Sequence, residues 1–237
     1  MQFGNRCVMI TGASGALGRH LASAFAEEGA RLVLVAREEA ALRAAFGAAG
    51  GIGGRRCLVG VDLRDAVQAE AAAKAAIAAF GAIDVLCNLA GAFRMGTQVH
   101  ETDDADWDFL FDANVRTLRN ACRAVVPHML AAGGGHIVNV GAYAARRGAA
   151  RMGAYVAAKA AVERITETMS AELRERNVNV NCVLPSVLDT PQNRAAMPGA
   201  DPARWVGLAD LAHVIVFLAS GRARAVHGAS IPVTGLS

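Results

Sequence analysis

The sequence predicts one α/β domain: a parallel sheet of seven strands, doubly wound, with helices on both faces. Three observations carry this. Short apolar runs such as Cys7–Thr11 and Arg31–Ala36 alternate with amphipathic helical stretches from end to end. Those runs are apolar on both faces, which suits strands buried in a parallel sheet covered on each side. No linker, internal repeat or low-complexity tail interrupts the pattern, so residues 1–237 read as a single domain.

Each element follows in order. Cys7–Thr11 is the first strand, followed by a glycine turn and a helix with Leu17, Leu21, Ala24 and Phe25 on one stripe. Gly29 stops that helix, Arg31–Ala36 is the second strand, and an Ala-rich helix leads to a Gly50–Gly54 loop. Arg56–Val61 is the third strand, Asp65–Phe80 a helix, and Asp84–Asn88 the fourth strand. One long helix is expected from about Asp104 to Leu130, with Thr102, Asp103 and Asp104 at its electropositive start. His136–Val140 is strand five, Gly153–Arg176 a long helix and Asn179–Leu184 strand six. Residues 185–207 are irregular, the kind of segment that closes over a substrate. Leu208–Ala219 and Ser230–Val233 give the last helix and strand.

Composition narrows the function classes. Apolar residues make up 54% of the chain and aromatics 5%, so Ala, Val and Leu must build the interior. Gly, Asn or Pro break the longest uncharged stretches below spanning length, and no membrane helix is expected. The start runs into a strand without a charged head and apolar signal segment, so the expected location is cytoplasmic. The five cysteines (Cys7, Cys57, Cys87, Cys122, Cys182) are scattered, with no C-x-x-C pair. They predict neither a disulfide framework nor a metal site. A net charge of +3, spread without interleaved aromatics, gives no nucleic-acid footprint.

The first strand-to-helix turn reads Thr11-Gly12-Ala13-Ser14-Gly15-Ala16-Leu17-Gly18. Residues without bulk let the backbone turn tightly and approach a pyrophosphate at a helix N-terminus. Arg37 directly follows the second strand, where an acid suits a ribose 2′-hydroxyl and a cation suits a 2′-phosphate. The other reading, a solvated arginine at a strand end, stays open. Asp62 closes the third strand and Asn88-Leu89-Ala90-Gly91 the fourth, on the sheet edge where ligands bind. Asp62 reads equally as a turn or capping residue.

Tyr155-Val156-Ala157-Ala158-Lys159 opens the long helix after strand five. A spacing of four puts both polar side chains on one face. A phenol is a poor acid–base group at neutral pH until a cation stabilises its phenolate. Of 24 basic residues only two, Lys74 and Lys159, are lysines, the rest being arginine, and the chain has only two tyrosines, Tyr143 and Tyr155. Lysine can share a proton where arginine cannot. The pair therefore points to catalysis rather than decoration.

With these residues in place, the chain resembles the short-chain dehydrogenases/reductases over essentially its whole length. The matching parts are Thr11–Gly18, Asp62, Asn88–Gly91, Asn114, Tyr155-x-x-x-Lys159 and Pro185…Thr190, in order and spacing. The resemblance implies a Rossmann-type sheet of order 3-2-1-4-5-6-7 and a homodimer or homotetramer built from the long helices. It implies NADP(H), preferred over NAD(H) on Arg37, held by Gly12, Ser14, Gly15, Ala16, Leu17, Gly18, Arg37, Asp62, Leu63, Asn88, Ala90, Gly91, Tyr155, Lys159, Pro185, Val187 and Thr190. Tyr155 would be the proton donor or acceptor. Lys159 would hold the nicotinamide ribose and lower the tyrosine pKa, and Asn114 would support a water-linked proton relay.

Three positions depart from the family pattern. Ala16 replaces a common middle glycine, Leu89 replaces a second asparagine, and Ala142 stands where the catalytic serine belongs, thirteen residues before Tyr155. Tyr143 beside it would point to the opposite side by strand alternation. Within the family, Gly15–Gly18, Gly141-Ala142 and Leu188-Asp189-Thr190-Pro191…Trp205 are similar to dihydropteridine reductases. The leading expectation is therefore an NADP(H)-dependent oxidoreductase that moves hydride between nicotinamide and a small organic substrate, a quinonoid dihydropterin or other conjugated heterocycle being one candidate, with Ala142, Arg194 and Trp205 at the substrate and 185–207 as the lid. The alternatives are a carbonyl or 3-oxoacyl reductase and a non-catalytic NADP(H)-binding regulator.

Overall fold

The structure is a computed structural model that describes residues 2–47 and 54–237. Seven strands form one sheet: β1 (Cys7–Thr11), β2 (Arg31–Ala36), β3 (Arg56–Gly60), β4 (Val85–Asn88), β5 (Gly135–Val140), β6 (Val178–Pro185) and β7 (Ser230–Val233). All pairings are parallel, in the order β3-β2-β1-β4-β5-β6-β7. The domain is thus the Rossmann-type, doubly wound fold expected from the alternating pattern. The order reverses between β1 and β4, so a crevice opens at their carboxyl ends, where Thr11 and Asn88 are register partners.

Helices α1 (Ala16–Glu27), α2 (Glu39–Phe46) and α3 (Ala66–Phe80) cross over between the first strands. One face of the sheet packs Leu21 and Phe25 of α1 against Leu211 and Ile215 of α8 (Leu208–Leu218). The other face is covered by α3, α5 (Thr117–Ala131) and α6 (Gly153–Leu173). On α3 the buried face is Ala69, Ala72, Ala73 and Ala76, so the helix sits close to the sheet without large side chains. Asp65 caps it by accepting from the amides of Val67 and Gln68.

Two expectations need correction. The Asp104–Leu130 helix is not one regular element: α4 (Asp104–Phe111) passes through a π turn at Asp112–Arg116 into α5. The reason lies in Asn114, whose amide Nδ2 donates 2.9 Å to the Leu110 carbonyl, the acceptor its own backbone N–H would use in an α-helix. The backbone widens there by one residue. Residues 185–207 are also less irregular than expected, holding α7 (Pro191–Ala196) and a short 3-10 turn at Pro202–Arg204. Elsewhere strand and helix ends differ from the sequence reading by a residue or a few. The expected Gly50–Gly54 loop lies, except for Gly54, outside the described residues. Cys7, Cys57, Cys87 and Cys182 lie in strands and Cys122 on α5, all as free thiols. Among the described residues no helix is long and apolar enough to cross a membrane.

Candidate active site

Gly12 adopts φ +66° at the turn out of β1, a conformation that favours glycine. A Cβ there would lie 3.0 Å from the Ala90 backbone nitrogen, so the glycine turn and the end of β4 approach closely. Gly18 is tighter: a Cβ would lie 2.6 Å from the carbonyls of Ala13 and Gly12. Gly15 precedes α1 with no side-chain cap, and the first turn carries no acid. The α1 amides, flanked by Ser14, Ala16 and Leu17, are therefore open to an anion. The Thr11 hydroxyl accepts from the amides of Leu89 and Ala90 at 3.0 and 3.1 Å, fastening the two crevice walls.

Arg37 is exposed one residue beyond β2, and its charge reaches Asp62. Asp62 is gripped by the Arg64 guanidinium, with Nη2 2.6 Å from Oδ2, which holds its carboxyl below the usual range. Leu63 is buried, and its carbonyl accepts from Asn120 Nδ2 at 2.9 Å. The sequence reading missed Asn120. Its only signal was a polar residue on the buried stripe of a helix.

The chemical centre lies across β4, β5 and α6. Tyr155 and Lys159 stand one turn apart on α6, and Lys159 Nζ donates 2.9 Å to the Val140 carbonyl at the end of β5. A Cβ on Gly91 would meet Asn114 Oδ1 at 2.6 Å and Lys159 Nζ at 3.3 Å. Three residues far apart in sequence thus meet at one point. Asn114 also donates to the Ala92 carbonyl and accepts from its amide, which fixes the loop after Gly91. Buried Asn88 donates to Asn139 Oδ1 at 2.9 Å and leaves its own Oδ1 without a partner.

Burial pushes the Tyr155 phenol up to about 12 and pulls the Lys159 ammonium down to about 8. Burial raises the phenol, and the Lys159 ammonium donates to the Val140 carbonyl. The Tyr155 phenol is protonated at neutral pH. A lysine whose folded pKa falls from 10.5 to about 8 costs stability, ~3 kcal/mol at 1.36 kcal/mol per unit. The cost is fully present below pH 8 and fades as pH rises from 8 to 10.5. Lys159→Met is expected to raise stability by about 1–3 kcal/mol at pH 7, with little gain above pH 10.5. Urea unfolding at the two pH values checks this, and an unchanged or lowered midpoint at pH 7 contradicts it.

Ala142 is buried and extended at the end of β5, while Tyr143 is exposed in the following 3-10 turn. Phe93, which the sequence reading also missed, packs its ring edge-on to Tyr155 at 4.9 Å. Beyond Tyr155 opens a small pocket whose polar lining is Arg94, Thr102, Asp106 and Arg151. Pro185 ends β6, and the Val187 carbonyl accepts from the Val206 amide at 2.9 Å. The Thr190 hydroxyl caps α7 by accepting from Asn193. Arg194 forks the Asp189 carboxylate at 2.6 and 2.8 Å, and Trp205 is packed under the segment. The Arg194–Asp189 pair ties two positions of 185–207 together in this arrangement.

A doubly wound sheet with an uncapped glycine turn and a Tyr–Lys pair at its carboxyl edge defines a nicotinamide-dependent oxidoreductase. Residues 6–200 match the short chain dehydrogenase family, and the chain belongs to it. D-threitol dehydrogenase of Mycolicibacterium smegmatis is 33% identical, over 97% of this chain and 92% of that one. A gluconate 5-dehydrogenase from Burkholderia cenocepacia, solved with NADP and tartrate, superposes with a TM-score of 0.90 at 28% identity. The match covers 99% of this chain and 95% of that one. A 3-ketoacyl-(acyl-carrier-protein) reductase from Brucella melitensis, solved with NADH, gives 0.87 at 28% identity, covering 98% of each chain. The protein is an NAD(P)-dependent oxidoreductase acting on small organic substrates.

Proposed function

We propose that the protein interconverts a ketone and a secondary alcohol on a small polar substrate, using NADP(H) in preference to NAD(H). One observation carries it: Lys159 and Asn114 converge beside Gly91 at the carboxyl edge of the sheet, with Tyr155 one turn from Lys159 on α6. The relatives' names, D-threitol dehydrogenase and 3-ketoacyl reductase among them, describe the same interconversion. They support it over the pterin reading.

The residues present fit the dinucleotide. The tight approach at Gly12 and Gly91 leaves room for backbone and ribose where any Cβ would intrude, and the open amides of α1 suit the pyrophosphate. Gly12, Ser14, Gly15 and Gly18 would hold the pyrophosphate end. Asp62, Leu63, Asn88 and Ala90 would line the crevice, and Pro185, Val187 and Thr190 would meet the carboxamide. When bound, the cofactor supplies or receives the hydride. Tyr155, protonated at neutral pH, gives its proton to the substrate oxygen in reduction. Lys159 stabilises the resulting phenolate and holds the ribose, and Asn114 fixes the loop beside them. Residues 185–207 act as the lid. Assembly into a homodimer or homotetramer through the long helices belongs to the same reading.

Arg37 supports the proposed cofactor preference. A charge-assisted hydrogen bond to a 2′-phosphate stabilises NADPH over NADH by about 1.5–3 kcal/mol. Arg37→Asp is expected to reverse the preference. Fluorescence titration of both cofactors tests this, and equal affinity in the unaltered protein would leave Arg37 a surface cation.

Ala142 favours a second reading. A quinonoid dihydropterin takes hydride into a conjugated system and spreads the charge, so it depends less on a serine hydroxyl than a ketone does. NADPH consumption at 340 nm with polyol-derived ketones, a 3-oxoacyl thioester and quinonoid dihydropterin separates the readings. Turnover of the pterin alone would replace the carbonyl assignment.

A further inference from the structure

The pocket beside Tyr155 has an unbalanced charge. Arg94, Asp106 and Arg151 are the ionised side chains in its lining. Arg94 is ion-paired with Asp106, and its guanidinium lies 4.3 Å from the Phe109 ring centroid. Asp106 also lies in the first turn of α4, where its amide donates to the Asp103 carboxylate at 2.7 Å. These two charges answer each other. Among the described residues, no carboxylate comes within ion-pair distance of Arg151. Glu101, Asp104 and Asp108 belong to the same acidic stretch of chain but do not line the pocket. Arg146, on the same loop as Arg151, is directed at buried Glu163 at 3.9 Å.

The backbone holds Arg151 in place. Its φ is +61°, a left-handed conformation that a bulky residue seldom adopts. Its carbonyl accepts from the Gly96 amide at 2.8 Å, which joins its loop to the one carrying Phe93 and Arg94. Strain of this kind persists where neighbours over-determine it, and it clusters at ligand sites. The lining also includes the apolar residues Leu110, Met152 and Ala154. An arginine fork without a carboxylate, beside the proton donor and a partly apolar wall, suits a planar anion on a short carbon chain.

We propose that Arg151 is a substrate-binding residue, and that the preferred substrate is an oxo acid or hydroxy acid whose carboxylate is separated from the reacting carbon. This rests on the carbonyl–alcohol reading above and names its substrate class. Arg94, already neutralised by Asp106, shapes the pocket and holds the loop.

The test compares acetoacetate, 4-oxopentanoate and 5-oxohexanoate, each with its primary amide, in NADPH-dependent turnover. Binding of each pair to the protein–NADP+ complex is measured in parallel by calorimetry. At least one acid should exceed its amide in kcat/KM by about 10- to 100-fold, mainly through KM, with the advantage shrinking as salt is raised. Arg151→Asn removes the charge but tolerates the left-handed backbone, and should bring the acid-to-amide ratio toward one. A ratio near one in the unaltered enzyme, or a high ratio that survives Arg151→Asn, overturns the assignment of Arg151. Acid binding that depends on Arg151, without turnover of any ketone, overturns the carbonyl reading and leaves the anion site standing. Turnover of acids and amides alike does the reverse. If no acid binds and none turns over, both fall.

Discussion

Tyr155→Phe is expected to lower kcat by roughly 10²–10⁴ while leaving the fold and cofactor affinity nearly intact, the usual worth of a positioned acid–base group. The substitution removes one hydroxyl and keeps the ring, so the edge-on packing against Phe93 survives. The phenol sits in a largely buried place where its proton is retained to about pH 12, which suits donation and opposes spontaneous ionisation. In the oxidative direction the same group must accept a proton. A nearby cation is then needed, and Lys159 lies one turn away on the same helix. Lys159→Arg keeps charge without the geometry and should lose much of the rate. Single-turnover absorbance at 340 nm reads the chemical step directly. A Tyr155→Phe enzyme with full activity would remove the proposed donor.

Ala142→Ser is expected to raise kcat/KM for ketones by about 10²–10³, the typical value of one donor to a developing oxyanion. The position is buried at the end of β5, close in sequence to Val140, whose carbonyl receives Lys159. A hydroxyl added there points into the same neighbourhood only if the extended backbone of residue 142 is kept, and serine keeps it. Pterin turnover, if the protein has any, should gain far less. The measurement is kcat/KM for both substrate classes on both proteins. Equal gains would show that the hydroxyl acts on the structure of the site rather than on substrate charge.

Much of this architecture was legible in the chain because its signals are local. The alternation of apolar runs with helical stripes requires only neighbouring residues, and it placed all seven strands within a residue or two. Gly12 and Gly18 were legible for the same reason, since a tight strand-to-helix turn excludes side chains. The Tyr155–Lys159 pair was legible from its spacing and from the rarity of both residue types.

Other features depend on groups brought together from distant segments. The π turn at Asp112–Arg116 follows from the Asn114 side chain, which takes the Leu110 carbonyl from its own backbone N–H while also binding the Ala92 carbonyl of a distant loop. Nothing in the spacing of apolar residues records that competition. Arg194 illustrates the converse, for its planar fork suggested a substrate contact, while Asp189 lies close enough to occupy it. Phe93 and Arg151 carry no motif at all. They matter only because two loops close over the start of α6 and are joined at Gly96.

The sequence by itself determined the sheet, its glycine-lined crevice and the placing of the Tyr155–Lys159 pair on one helix face, since periodicity, turn stereochemistry and helical spacing act within a few residues. Only the tertiary structure decided the rest. Burial raises the Tyr155 phenol, Asn114 and Lys159 converge on Gly91, and among the described residues no carboxylate lies within ion-pair distance of Arg151 in the pocket beside Tyr155. Desolvation and charge pairing depend on distance in space, and the linear order of residues does not fix that distance.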